Sequence, residues 1–374
     1  MLCALFLCLE ISASPLPPSL SPAERKIASV KSALAAKPGQ SQTYNELAVA
    51  LLRRARETSD ASYYDSAEEA LKQSLKLAPG NFEAQRTHVS LLLARHDFAG
   101  ALNEARSLNK RLPDDVLVYG LMSDAAVALG DYETAEKATQ KMLDLRSNNA
   151  QALIHGAILR DLFGDVEGGV QLMSSAYLKS SQDEPEERAW LLTRTAEMQL
   201  RAGKITPAEE LAMNALSQFP EYPFAVKALA KIRMAQSKWA EAATLLQKLA
   251  PSPANLYLRA QALERGGEAK SADLAFSDFE RKARAEIEQP RNANRELVFY
   301  YADRVNKPTE ALRIARVEIA RRQDIDTLDA FAWALYVNGD YAEARKQIAR
   351  IETTGVRDAG FAEHASRIAA KIKP

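Results

Sequence analysis

The chain has 374 residues, 26% of them charged, with 49 Lys plus Arg balancing 49 Asp plus Glu. Zero net charge argues against a generic nucleic-acid or anionic-membrane binder, which needs a basic excess. The only cysteines are Cys3 and Cys8, so neither a disulfide framework nor a thiolate metal site can form in the rest of the chain.

The N-terminus, MLCALFLCLEISASPLPPSLSP, has an apolar run from Leu2 to Leu9, small residues at Ser12, Ala13 and Ser14, and a Pro-rich spacer. Residues 1–20 resemble a secretory signal peptide cut after Ala13. The pattern departs from that class in two ways, because no Lys or Arg precedes the run and Glu10 interrupts it. Leu7 before Cys8 excludes the lipoprotein form. The run is too short to span a bilayer. A periplasmic or secreted location is the expectation, with a cytoplasmic one as the alternative if the leader stays on. A mis-assigned start codon that removed a basic segment is a further reading of the same residues.

SPAERK then reads as a helix start, with Ser21 as N-cap, Pro22 in the first turn and Glu24 three residues after the cap. The helix should end near Lys37 to Gly39. Residues 21–43 are expected to form an N-terminal cap over the open apolar face of the first repeat.

From residue 44 to 374 the chain repeats itself. A small or apolar residue is followed 12 positions later by a small one at Val89/Ala101, Ser123/Ala135, Ala157/Gly169, Ala196/Ala208, Ala230/Ala242, Ala260/Ala272, Phe299/Ala311 and Ala332/Ala344. Turn signals such as HDF, GDY, GDV and GKI lie between the members. Ala67, Ala101, Ala135 and Gly169 are spaced by 34, and Pro79 and Pro113 close two units at the same period. Such a period marks a solenoid of helix hairpins. Small residues let the two helices of a hairpin approach where they cross, and Leu102, Leu143, Leu216 and Leu245 should fill the space between hairpins. An irregular unit runs from Tyr44 to Gly80. SSQDEPEE (Ser180 to Glu187) and EIEQPRNAN (Glu286 to Asn294) are expected as longer links where the pitch changes.

The small pairs, LGDYETAEKA (Leu129 to Ala138), GDYAEA (Gly339 to Ala344) and the closing Pro79, Pro113 and Pro220 resemble the tetratricopeptide repeat family. The resemblance covers nearly everything after residue 43. It implies an all-α, right-handed superhelical α-solenoid of about nine helix hairpins that binds a peptide or partner helix in its concave groove. Co-chaperone members grip a C-terminal carboxylate with Lys, Asn and Arg. The matching places hold Asn45, Val49, Thr87, Leu117 and Leu121, and a second register from Lys227 and Lys231 meets Leu258, so that clamp is absent.

No catalytic, cofactor or metal site is expected. His88, His96, His155 and His364 are scattered over different repeats. RGGEAKS (Arg265 to Ser271) lacks the glycine before lysine that a phosphate loop needs. The functional expectation is a non-catalytic scaffold or adaptor with a protein or peptide partner, no nucleic acid and no membrane span. The alternatives are a sensing regulatory subunit, or a non-catalytic subunit of an exported enzyme or assembly complex.

In the family, the groove face lies six and three residues before the packing alanine and one and four after it. Around Ala332 these are Asp326, Asp329, Trp333 and Tyr336, and the preceding repeat adds Glu296, Tyr300, Asp303 and Arg304. Acids beside aromatic rings suit a basic, partly apolar peptide. The competing reading packs Trp333 and Tyr336 against a neighbouring helix. Melting temperature separates the two, since Trp333→Ala leaves it unchanged only if the ring faces the groove.

Overall fold

The computed structural model describes residues 20–372, which hold twenty α-helices, a π-helical turn and no strand. The leader with both cysteines lies outside the described residues. After α1 (Pro22–Ala36) come pairs α2 (Ser41–Thr58) and α3 (Ser62–Leu77), α4 (Phe82–Ala94) and α5 (Phe98–Arg111), α6 (Val116–Leu129) and α7 (Tyr132–Leu145). Next are α8 (Ala150–Leu162) and α9 (Val166–Lys179), α10 (Pro185–Arg201) and α11 (Ile205–Gln218), α12 (Pro223–Ala235) and α13 (Trp239–Gln247). Then α14 (Pro253–Arg265) pairs with α15 (Ala269–Ala285), α16 (Arg295–Phe299) with α17 (Pro308–Arg321), and α18 (Ile325–Val337) with α19 (Tyr341–Glu352), before α20 (Ala359–Ile372).

The turn signals work through two devices. A residue in the left-handed conformation follows the first helix, glycine in five hairpins but Ser59, His96, Ser237 and Asn306 in the other four. In four hairpins the aspartate after it caps the second helix, as when Asp97 accepts from the Gly100 N–H at 3.0 Å and Asp131 from the Thr134 N–H at 3.1 Å. Ser21 and Glu24 form the capping box expected for α1. The small pairs mark the crossings, for Ala196, Ala208, Ala230, Ala242, Ala332 and Ala344 are all fully buried. Leu102, buried, and Leu143, Leu216 and Leu245, partly buried, join the apolar clusters between helices, where a fully buried leucine stabilises by about 1.5–3 kcal/mol and a partly buried one by less.

Two local expectations need correction. Pro185, Glu186 and Glu187 are the first turn of α10 and not link, so the extra residues there mostly lengthen a helix to 17 residues. Proline suits that first turn because its missing N–H would have no partner anyway. The second correction concerns Phe299. A π-helical turn, Tyr300–Arg304, continues α16, and the Val305 N–H reaches back five residues to the Tyr300 carbonyl at 3.0 Å. Phe299 is too bulky for the crossing that alanine fills elsewhere. It turns to the ring of His364, 5.6 Å away, and Tyr300 and Tyr301 bury themselves against α15 instead.

The hairpins also meet at long range. The turns ending α4, α6 and α8 abut the links after α15, α17 and α19. Arg322 donates to the Pro290 carbonyl and lies 3.3 Å from His96 Nδ1. The Gln323 N–H donates to the Ala128 carbonyl at 2.9 Å. Gly164 and Gly355 touch so closely that a Cβ on Gly164 would lie 2.3 Å from the Gly355 oxygen. The superhelix therefore closes on itself along a seam.

Candidate functional site

The first helices of the hairpins form the inner wall, and α2, α4, α6, α8 and α10 enclose a cavity of about 710 Å³. Its apolar wall is Val49, Leu52, Ile154, Ile158 and Trp190. A hollow of similar volume between α1, α2 and α3 is a groove at the solenoid's open edge, walled by one hairpin and the capping helix. The inner cavity is the better site because five separate hairpins converge on it.

Ion pairs close the inner wall between the first hairpin and the fifth. Arg56 on α2 reaches Glu186 on α10 at 3.0 Å, and Arg53 pairs with Glu184. Glu186 is buried and also accepts from the Tyr222 hydroxyl at 2.9 Å. Arg86 is held by Asp115 at 2.6 Å. Thr87 and Ser90 donate their hydroxyls to carbonyls of their own helix.

His155 is buried on α8, with Nδ1 2.8 Å from the Gln151 carbonyl, which can only accept, so Nδ1 carries a hydrogen. Nε2 then faces the Asp124 carboxylate at 3.2 Å, out of line for a hydrogen bond but close enough for a charge pair. Burial, the largest single influence, pushes the imidazole down, but Asp124 together with the Gln151 and Gly120 backbone outweighs it and raises it above its ordinary value. Glu187 differs from its neighbours. Among the described residues it has neither a hydrogen bond nor an ion pair, and burial, then Glu184 and Glu186, push its carboxyl up.

Further along the lumen, Lys227 and Lys231 stand one turn apart on α12 with no acid paired to either among the described residues. Burial and the Lys231 charge push Lys227 down to about 8. Asp326 pairs with Arg295, which holds its carboxyl below the usual range, and Arg201 and Lys231 add to the effect. Water still reaches 73% of the Asp326 side chain, as it would inside a hollow.

The eight residues expected on the groove divide between different surroundings. Glu296 and Asp326 face the lumen near Arg295 and Lys227. Trp333 is 4% exposed; its Nε1 donates to Asp303 at 2.8 Å, and its ring stacks on Tyr336 and on His364 of α20 at 4.3 Å. Asp329 lies 2.9 Å from His364 Nδ1. Tyr300 packs on Phe276 and Phe279 with its hydroxyl toward Glu280. Arg304 ties Glu264 and Asp273 together over the Phe276 ring. Counting from Val89, Ser123, Ala157 and Ala196, the same groove rule reaches Arg86, Asp124, Ile154, Ile158 and Trp190, which do line the cavity. It does not reach Arg53, His155 or Glu187.

Among the described residues no group of His, Cys, Asp or Glu is placed to hold a metal, and no helix is long and apolar enough to cross a membrane. No protein-family model and no curated protein matches the sequence. Solved structures do match in shape. The human IFIT1 dimer with PPP-AAAA superposes with a TM-score of 0.51 at 14% identity, covering 93% of this chain and 87% of that one. A chain of the APC/C hetero-tetramer Cut9-Hcn1 gives 0.51 at 11% identity, covering 92% of this chain. The present chain spans 58% of that chain's length. Hairpin geometry, period and these superpositions give the chain a tetratricopeptide-type fold.

Proposed function

We propose that this tetratricopeptide-type solenoid is a non-catalytic interaction scaffold that holds a segment of a protein partner inside its lumen. The observation that carries the reading is the cavity of about 710 Å³ enclosed by five inner helices, with an apolar wall beside charged groups. Catalysis is not part of the proposal, because the cavity's arginines and His155 are each held by a carboxylate and its hydroxyls are committed to their own helices. Nucleic acid is not the proposed partner either. Asp124, Glu184, Glu186 and Glu187 line the cavity and would repel a phosphate chain.

The test is selection of peptides from a display library on the intact chain, followed by affinity measurement against Val49→Arg. Val49 lines the cavity yet is 49% exposed, so the larger side chain fills the hollow with little effect on folding. At least a tenfold loss of affinity is expected. Unchanged affinity, or a library that yields no binder, contradicts the proposal.

Export belongs to the same proposal and rests on the apolar run from Leu2 to Leu9 with its Pro-rich spacer. N-terminal sequencing of the natural protein should find a chain shortened past Ala13, and a cytosolic chain beginning at Met1 would contradict it.

A further inference from the structure

The charges lining the cavity do not cancel. Arg53 is matched by Glu184, Arg56 by Glu186, Arg86 by Asp115 and His155 by Asp124. Glu187 is left over, half-buried at the start of α10. Its carboxylate is disfavoured by burial, Glu184 and Glu186, which Arg56 and Arg53 offset only in part, and it shares the cavity lining with Trp190 and the aliphatic wall. A carboxylate without a partner in such a place is costly to the folded chain, and a cation arriving from outside removes that cost. The arginines cannot swing over to do so without abandoning their own buried or half-buried partners.

We infer that the cavity takes a basic side chain of the partner segment, a Lys or Arg flanked by aliphatic or aromatic residues, with its charge on Glu187 and its stem along Trp190 and Ile158. The stem of a long basic residue is itself apolar, so one side chain satisfies both the wall and the carboxylate. Trp190 offers its face to the same cation. A polyanion meets the opposite situation, three glutamates and Asp124 with every arginine already engaged. The inference rests on the scaffold reading above and adds the chemistry of the partner to it.

Selection on the wild-type chain and on Glu187→Gln tests it. Peptides recovered on the wild type should share one Lys or Arg between apolar residues. The affinity of such a peptide should fall at least tenfold on Glu187→Gln. It should fall equally when the peptide's base is replaced by norleucine, and no further when both changes are made. The melting temperature of Glu187→Gln should not drop, which separates lost contact from lost fold. Peptides that bind without a basic residue, or with the same affinity to Glu187→Gln, overturn the inference and leave the scaffold reading standing. Free spermidine binding as tightly as the peptide would assign the site to a small polyamine, and a triphosphate oligoadenylate binding in the cavity would assign it to nucleic acid. Either result overturns the inference. If no peptide is recovered, both readings fall.

Discussion

The backbone N–H of Gln323 donates a 2.9 Å hydrogen bond to the carbonyl of Ala128. It joins the link before α18 to the end of α6, so the last hairpins rest on the turns of the early ones. A solenoid in which each repeat touches only its neighbours would have no such bond. The seam sets the last hairpins against the early ones, while the cavity itself is walled by α2, α4, α6, α8 and α10.

Two glycines separate the seam from ordinary turn strain. Gly164 and Gly203 occupy equivalent turns with φ of +82° and +74°. Alanine costs about 1–2 kcal/mol at either from the left-handed backbone alone. Only at Gly164 does the new Cβ also meet the Gly355 carbonyl, whereas nothing lies within 4 Å at Gly203. Gly203→Ala should lower the melting temperature slightly and leave the radius of gyration in small-angle scattering unchanged. Gly164→Ala should lower melting further and enlarge the particle.

The seam should also respond to acid. Arg322 can only donate, so His96 Nδ1 must keep its lone pair, and burial followed by the Arg322 charge pushes the imidazole down to about 4. The neutral form is the one the fold holds. Its contribution is therefore complete above the unfolded value of about 6.5 and is lost as pH falls from there through about 4. Thermal melts of the wild type should lose stability in that window more steeply than those of His96→Asn, which keeps a residue tolerant of the left-handed turn but cannot protonate there. Parallel slopes would remove His96 from the seam's account. His155 works in the other direction, since its raised value makes its pair with Asp124 strongest in acid and weaker as pH rises through the folded value.

Trp333→Ala should unfold the C-terminal hairpins early. The ring is 4% exposed, bonded to Asp303 and stacked on His364, and truncations of this kind cost about 3–5 kcal/mol. A melting temperature close to the wild type's would mean that α20 does not cover the ring in solution.

Lys227→Met should stabilise the chain. Burial and Lys231 disfavour the lysine's charged form in the fold, with the folded value near 8. The wild type carries that penalty at pH 7 and sheds it as pH rises from about 8 to about 10.4, the ordinary lysine value. The variant should therefore melt higher at neutral pH, with the gap closing in base. A lower melting temperature at pH 7 would show that the lysine stem packs more than its charge costs.

The repeat architecture is legible in the sequence because its physics is local. Alanine at 196, 208, 332 and 344 marks crossings, and Gly-Asp at 130–131 or 339–340 marks a left-handed residue followed by an N-cap. Phe299 keeps the spacing but not the size of its counterparts, and the π turn that absorbs it displaces Tyr300 from the expected face. Applied to the earlier repeats, the groove rule reaches Asp124, Ile158 and Trp190, which line the cavity. It misleads at the C-terminal hairpins, where His364 of α20 already covers Trp333. The seam is beyond reach of any local pattern, because the contact of Gly164 with Gly355 depends on pitch accumulated over five hairpins. Glu187 is hidden for a related reason. It looks like link in the sequence, and its lack of a partner depends on where the arginines of α2 end up.

The claim that the lumen holds the partner segment is tested most directly by photo-crosslinking a selected peptide to the chain. The crosslinker is placed at Ile158, inside the cavity, and separately at Leu274, 71% exposed on α15. The account predicts peptide adducts at position 158 and none at 274. Adducts at 274 with none at 158 would contradict it.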